Sequence, residues 1–275
     1  IIFSFRINNF ISKEYTPLSN DIKSRIAKMS SRSILGRYMT YLIWTKSEIL
    51  YIGYYYDTVL VSIYSIGYDL AQRFVQIIKS PISDLDIIYG MEYSKKNSEK
   101  YIKILKFTNT FICYFFIPIS LTAFFTSQVI IPVIFGTSYY DSVFVFRMIL
   151  VAYSITLFAF HINSAIASLE LWNLMLIIQL IGGGINVFLN ILLIPIYGIQ
   201  GAVVSVIASL FFVTIFWNFY LLKFYPNLVP YYNILKMLIS SLPLICILIY
   251  ANKIFDVESI QNYDLVEIII FFSFS

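Results

Sequence analysis

Residues 190–205 read NILLIPIYGIQGAVVS, two apolar runs interrupted by PIYGIQG with no charged side chain in the break. Pro195, Gly198 and Gly201 are strong turn signals. In a water-soluble domain a turn faces solvent and normally carries Lys, Glu or Asp. Here the flanking runs, Leu174 to Ile194 and Ile199 to Leu222, are each long enough to cross the ~30 Å hydrocarbon core of a bilayer as a helix. The pattern therefore predicts a helical hairpin in lipid whose short tip barely emerges on the far side.

Composition extends this reading to the whole chain. Of 275 residues, 59% are hydrophobic, 19% aromatic and 12% charged, with a net charge of +4. Soluble domains carry about 25% charged residues. Half of the expected charge is absent, which points to an all-α, polytopic transmembrane bundle of eight spans or part-spans. Cys113 and Cys246 lie within apolar runs and lack the short polar spacings of a disulfide or metal framework, so both are expected to pack as small hydrophobes. The chain opens on IIFSFRI and closes on IIIFFSFS. Both ends cut through hydrophobic segments, and the chain is expected to be a piece of a longer protein.

The remaining segments fall into order around the hairpin. Residues 1–7 resemble the tail of a span, and Asn8 to Arg37 is polar and basic, with Lys13, Lys23, Arg25, Lys28, Arg32 and Arg37. Spans are expected at Tyr38 to Tyr56, Thr58 to Tyr89 and, after the basic loop SKKNSEKYIKILK, Phe107 to Phe125. A separate short piece, SQVIIPVIFG, follows, then Val143 to Ser168, the hairpin, Leu235 to Ala251, and a last run from Leu265. The domain division expected is 1–37 as a helix end and linker, 38–222 as a six-helix lobe, and 223–275 as an accessory pair. If the first basic loop is cytoplasmic, Lys95, Lys96, Lys100, Lys103, Lys106, Lys223 and Lys236 share its side. The opposite side keeps Lys253, with Arg147 at a helix entrance, as the positive-inside rule describes.

Function should show at polar residues inside the spans, because lipid-facing positions hold them at high cost. Asp69, Gln72, Arg73, Gln76, Lys79 and Ser83 share one side of a helix. At 1.5 Å per residue from Thr58, Asp69 and Arg73 lie roughly 16 and 22 Å deep. Arg147, Ser154, His161 and Ser168 recur every seven residues, while Gln179, Gly183, Asn186 and Asn190 follow a 4-3-4 rhythm. Gly201, Ser205 and Ser209 repeat every four, which allows close approach of a neighbouring helix. Plainer readings stand beside each pattern. Asp69 and Arg73 can form a structural i, i+4 ion pair, Lys79 and Arg147 can snorkel to the interfaces, His161 can be a packing residue, and the Asn stripe can be interhelical glue. One His, no nucleophile elbow, no Gly-rich phosphate loop and no paired carboxylates in a polar pocket argue against an enzyme. The basic loops lack the features of a nucleic-acid module.

The stretch NVFLNILLIPIYGIQGAVVSVIASLFF resembles the signature region of the polysaccharide and O-antigen flippases, in the multidrug/oligosaccharidyl-lipid/polysaccharide exporter superfamily. Asn186, Asn190, Pro195, Tyr197, Gly198, Gly201 and Ala202 carry the match. SIYSIGYDLAQRF and VIFGTSYYDSVFVFRMIL resemble two further family segments in the same order, although Ser62 stands where a Gly is usual and Asp86 where a Pro is common. The resemblance implies the C-terminal lobe of a two-lobed, MATE-like fold in a bacterial inner membrane. It also implies alternating-access export of undecaprenyl-diphosphate-linked oligosaccharide, with no cofactor. By that resemblance Arg73 would meet the diphosphate, with Lys79, Arg147 and His161 as further substrate-binding candidates; from their own chemistry Gln72, Gln76, Asn186 and Asn190 could meet the sugars if they face water. Expected partners are the lipid-linked substrate, membrane lipids, an N-terminal lobe of the same protein and polysaccharide polymerase machinery. The alternative is a cation-coupled multidrug or metabolite antiporter with Asp69 or Glu48 as the ion site. A membrane-embedded glycan polymerase or acyltransferase would need a large polar loop with catalytic residues, which the outer loops are too short to supply.

Overall fold

A computed structural model describes residues 47–93, 98–156, 171–223 and 239–254, with scattered positions at 19–38 and 235–236. The described residues are helical throughout, and no strand occurs among them. In chain order the helices are α1 (Ser47–Tyr55), α2 (Thr58–Tyr93), α3 (Ser98–Phe135), a 3-10 turn (Thr137–Tyr139), α4 (Ser142–Ile155), α5 (Trp172–Tyr197), α6 (Ile199–Leu222) and α7 (Leu242–Ile254). Three helical stretches are long and apolar enough to cross a membrane: Lys106–Phe135, Trp172–Tyr197 and Ile199–Tyr220. This is an all-α membrane helix bundle.

The hairpin forms as its residues demand. Pro195 occupies the last turn of α5, Gly198 turns the chain with φ +55°, and α6 starts at the next residue. Gly198 N–H donates to the Ile194 carbonyl at 2.8 Å. Tyr56, just past α1, adds its hydroxyl to the Ile194 and Pro195 carbonyls at 3.0 and 3.2 Å, so helix-end acceptors are satisfied without water. Past the turn the two helices lie so close that a Cβ on Gly201 would meet the Leu193 carbonyl oxygen at 2.4 Å. Ser205 and Ser209, fully buried on the same stripe, return their hydroxyls to the carbonyls of Gly201 and Ser205. The four-residue repeat thus permits the approach expected of it.

α4 sits at the centre, packed against α2, α3 and α6. Gly67 is its contact point on α2, where a Cβ would lie 2.6 Å from the Ser142 carbonyl oxygen and 2.7 Å from Val145 Cβ. Further contacts run in step along both helices. Ser142 Oγ donates to Ile63 O at 2.8 Å, the Tyr68 and Tyr153 hydroxyls meet at 3.2 Å, and Lys79 Nζ donates to Thr156 Oγ1 at 2.6 Å. Numbers rise together, so α2 and α4 are parallel. Ser47 with Asn186 and Tyr56 with Ile194 make α1 and α5 parallel by the same logic. Three connections, at 56–57, 136–141 and 198, consequently gather at one end of the bundle. Their only charged residues are Asp57, which caps α2 through Leu60 N–H at 2.8 Å, and Asp141.

The sequence and the structure differ at α3. Phe107 to Phe125 and SQVIIPVIFG were expected as separate pieces, but one helix of 38 residues runs through both, with Pro118 and Pro132 inside it. A membrane helix tolerates proline where other groups engage the freed backbone. The carbonyls that the prolines free are those of Tyr114 and Gln128. Arg147 on α4 binds the turn between the two prolines, donating to the carbonyls of Phe124 and Phe125 and to the side chains of Ser127 and Gln128. Within the run expected at Leu235 to Ala251, residues 235–236 and 239–240 are helical, a turn falls at Ser241, and α7 continues from Leu242 to Ile254 and packs on α3. Cys246 on α7 is free and exposed.

Candidate functional site

α2 is 36 residues long, about 54 Å at 1.5 Å per residue, and its polar stripe divides between two directions. Gln72 and Lys79 lie on the edge facing α4, where Gln72 neighbours the Tyr153 hydroxyl and Lys79 is half-buried against Thr156. Arg73, Gln76 and Ser80 are exposed, Asp69 is half-buried beside them, and Ile77 is their apolar neighbour. Asp69 and Arg73 make no ion pair with each other among the described residues, contrary to the structural pairing their spacing allows. The exposed guanidinium, roughly 22 Å along α2, would rest against acyl chains only at high cost. This face of α2 belongs to water or to another protein surface.

Arg147, also named as a candidate, is half-buried and does not stand open. Its Nε donates to Phe124 O at 2.8 Å and Ser127 Oγ at 2.9 Å, and one terminal nitrogen reaches Gln128 Oε1 at 3.1 Å. Its plane lies 5.0 Å from the Phe124 ring centroid. With most of its donors engaged on α3, Arg147 acts as a tie between α3 and α4. Lys79 is likewise engaged, through Thr156 Oγ1 on α4. Ser154 bonds the Leu150 carbonyl of its own helix. His161 and Ser168 lie outside the described residues.

Asn186 and Asn190 were expected to face sugars if they face water, and that condition is not met: both are 0% exposed. They close a polar cluster with Ser47 and Glu48 between α5 and α1. Asn190 Nδ2 donates to Asn186 Oδ1 at 2.8 Å and to Ser47 Oγ at 3.3 Å, and Ser47 Oγ donates to Asn186 Oδ1 at 3.1 Å. Glu48, the candidate ion residue, is also 0% exposed. Ser47, Asn186 and Asn190 are its polar neighbours, yet no hydrogen bond of good geometry reaches either carboxylate oxygen.

Residues 13–144 match the family model of the polysaccharide biosynthesis proteins. This segment belongs to that family. It takes in α1, α2, α3 and the first residues of α4, hence Glu48, Asp69, Arg73 and Lys79. The hairpin resembling the flippase signature lies beyond it. No curated protein and no solved structure matches the chain.

Sequence reasoning passed over several residues of this polysaccharide-biosynthesis segment and its surroundings. Tyr64 and Tyr68 stack at 5.7 Å between ring centroids, and Tyr68 bonds Tyr153. Tyr64 and Tyr68 are buried and Tyr153 is half-buried where α2 packs on α4. Their i, i+4 spacing on α2 was a signal, but the chain has 23 tyrosines and spacing alone does not distinguish them.

Proposed function

We propose that the protein is a carrier that moves lipid-linked oligosaccharide across a bacterial cytoplasmic membrane by alternating access. The observation that carries this reading is Arg73, exposed and without an ion-pair partner among the described residues, on a polar strip of α2 within the segment that matches the polysaccharide biosynthesis family. A diphosphate presents paired oxygens and about two negative charges, which a guanidinium fork matches bidentately. Gln76 and Ser80 flank it with groups suited to sugar hydroxyls. Lys79, Gln72 and Arg147 hold helices together in this conformation, and His161 lies outside the described residues.

Deleting the gene should leave lipid-linked repeat units accumulating toward the cytoplasm, with surface polysaccharide lost. Unchanged surface polysaccharide in a strain with no redundant exporter would sink the proposal. The buried Glu48 also suits a cation-coupled drug antiporter. In that case deletion should sensitise cells to cationic dyes while polysaccharide stays normal.

The orientation follows from charge. The bundle end with Asp57 and Asp141 and no Lys or Arg in its described connections is the outer one in this proposal, and Asn8 to Arg37 and Glu92 to Lys106 are cytoplasmic. In a background lacking Cys113 and Cys246, a membrane-impermeant thiol reagent added to intact cells should label Asp141→Cys and spare Lys96→Cys. Labelling in the reverse order would invert the topology.

A further inference from the structure

Residues 118–135 of α3 depart from an ordinary helical rod. Pro118 and Pro132 each remove a backbone donor. Between them Thr122, Thr126 and Ser127 donate their hydroxyls to the carbonyls of Pro118, Thr122 and Phe124, at 3.0, 2.8 and 2.6 Å. Such back-bonds compete with the helix's own ladder and bend it. Ser120, two residues past Pro118, is 7% exposed and its hydroxyl has no partner. A buried hydroxyl left unpaired is destabilising, and this one sits where the helix is weakest. At the far end of the segment Gly136 has φ +96° and open space where a Cβ would stand. The segment has a joint at each end.

Arg147 fastens it to α4. Its Nε donates to Phe124 O and Ser127 Oγ, and one terminal nitrogen donates to Phe125 O and Gln128 Oε1. These acceptors are two carbonyls, a hydroxyl and an amide, none of them charged. A fastening of that kind opens without stranding a buried counter-ion, whereas a buried salt bridge does not. The guanidinium also draws on carbonyls that serve the helix's own ladder, and a side chain inserted there is a cause of kinks.

We propose that Arg147 is the catch of a hinged helix: residues 119–135 lie against α4 while it is engaged and pivot at Pro118 when it lets go. Gly136 absorbs the rotation at the other end. The pivot uncovers Val129 and Ile131, the buried apolar side chains of the segment, and re-aims Ser120. Ile134 lies 16 residues past Pro118, about 24 Å along the helix, so a kink of about 20° displaces it by about 8 Å. For the proposed carrier this motion opens the end that gathers the connections at 56–57, 136–141 and 198. That use rests on the carrier reading, but the hinge is measurable whatever the chain moves.

The experiment is double electron–electron resonance on spin-labelled cysteine pairs, with the purified protein in lipid nanodiscs and Cys113 and Cys246 replaced. One pair, Tyr54→Cys with Ile134→Cys, uses exposed positions at the connection end of α1 and α3. The reference pair, Phe111→Cys with Phe219→Cys, joins α3 before Pro118 to α6. Arg147→Ala should add a population shifted by up to about 8 Å to the first pair and leave the reference pair unchanged. Adding Pro118→Ala should remove that population, because alanine restores the donor and stiffens the joint. An unchanged first pair in folded Arg147→Ala would overturn the proposal. Equal changes in both pairs would do the same, since a merely structural tie loosens the whole of α3. A new population that survives Pro118→Ala would also overturn it, by placing the pivot elsewhere. Should Arg147→Ala not fold, the Ser127→Ala, Gln128→Ala double variant decides, because it removes two of the four acceptors and keeps the charge. The shifted population in the first pair alone supports the hinge, and its absence rejects it.

Discussion

Replacing Gly201 by leucine should leave no folded protein in the membrane. The Cβ alone would fall 2.4 Å from Leu193 O and 2.6 Å from Leu193 C, and these are backbone atoms with no rotamer to yield. Overpacking typically costs 1–3 kcal/mol per insertion when neighbours can adjust, against a total stability of about 5–15 kcal/mol. Where they cannot adjust, α5 and α6 must separate, and Ser205, Ser209 and the Gly198 turn lose their packing together. Gly201→Ala should already lower the thermal midpoint. Gly184→Ala is the matched control, because a Cβ there has nothing within 4 Å and alanine is the better helix former by up to about 1 kcal/mol. Fluorescence-detected size-exclusion after heating separates the three. A Gly201→Leu protein as monodisperse and heat-resistant as wild type would mean that the hairpin contact is looser than described.

Removing Arg73 should abolish most export while leaving the protein intact. Its side chain is exposed and unpaired with Asp69, so Arg73→Ala strands no buried partner and should cost little stability. A charge-assisted hydrogen bond contributes roughly 1.5–3 kcal/mol, so the transport rate should fall about 10- to 100-fold. Arg73→Lys should recover only part of it, since lysine keeps the charge but not the fork. Asp69→Asn should change neither expression nor export appreciably, because no ion pair is lost. Normal surface polysaccharide from Arg73→Ala at wild-type protein level would remove this residue from the mechanism. It would also leave the diphosphate without a free cation on the described face of α2, since Lys79 and Arg147 are engaged on Thr156 and α3.

What the sequence determined by itself was everything that acts within one helix or one turn. Span length, the Pro195–Gly198 break and the Gly201, Ser205, Ser209 repeat rest on rise per residue, local dihedrals and side-chain size, and these need no partner to be read. The charge difference between the two ends is equally local, and the described connections at 56–57, 136–141 and 198 agree with it. Only the tertiary structure decided which of the polar stripes is covered. Asn186 and Asn190 were legible as an inward face, but whether that face meets water or α1 depended on the parallel docking of Ser47 and Glu48 against them. Lys79 and Arg147 carried the same charge as Arg73 in the sequence. They became ties because Thr156 and the 124–128 turn of α3 lie within reach, while none of the described residues lies over Arg73. Periodicity assigns a residue to a side of its helix, but the neighbour that packs there decides its dielectric surroundings and its hydrogen-bond partners, and hence whether a charge is a strut or a site.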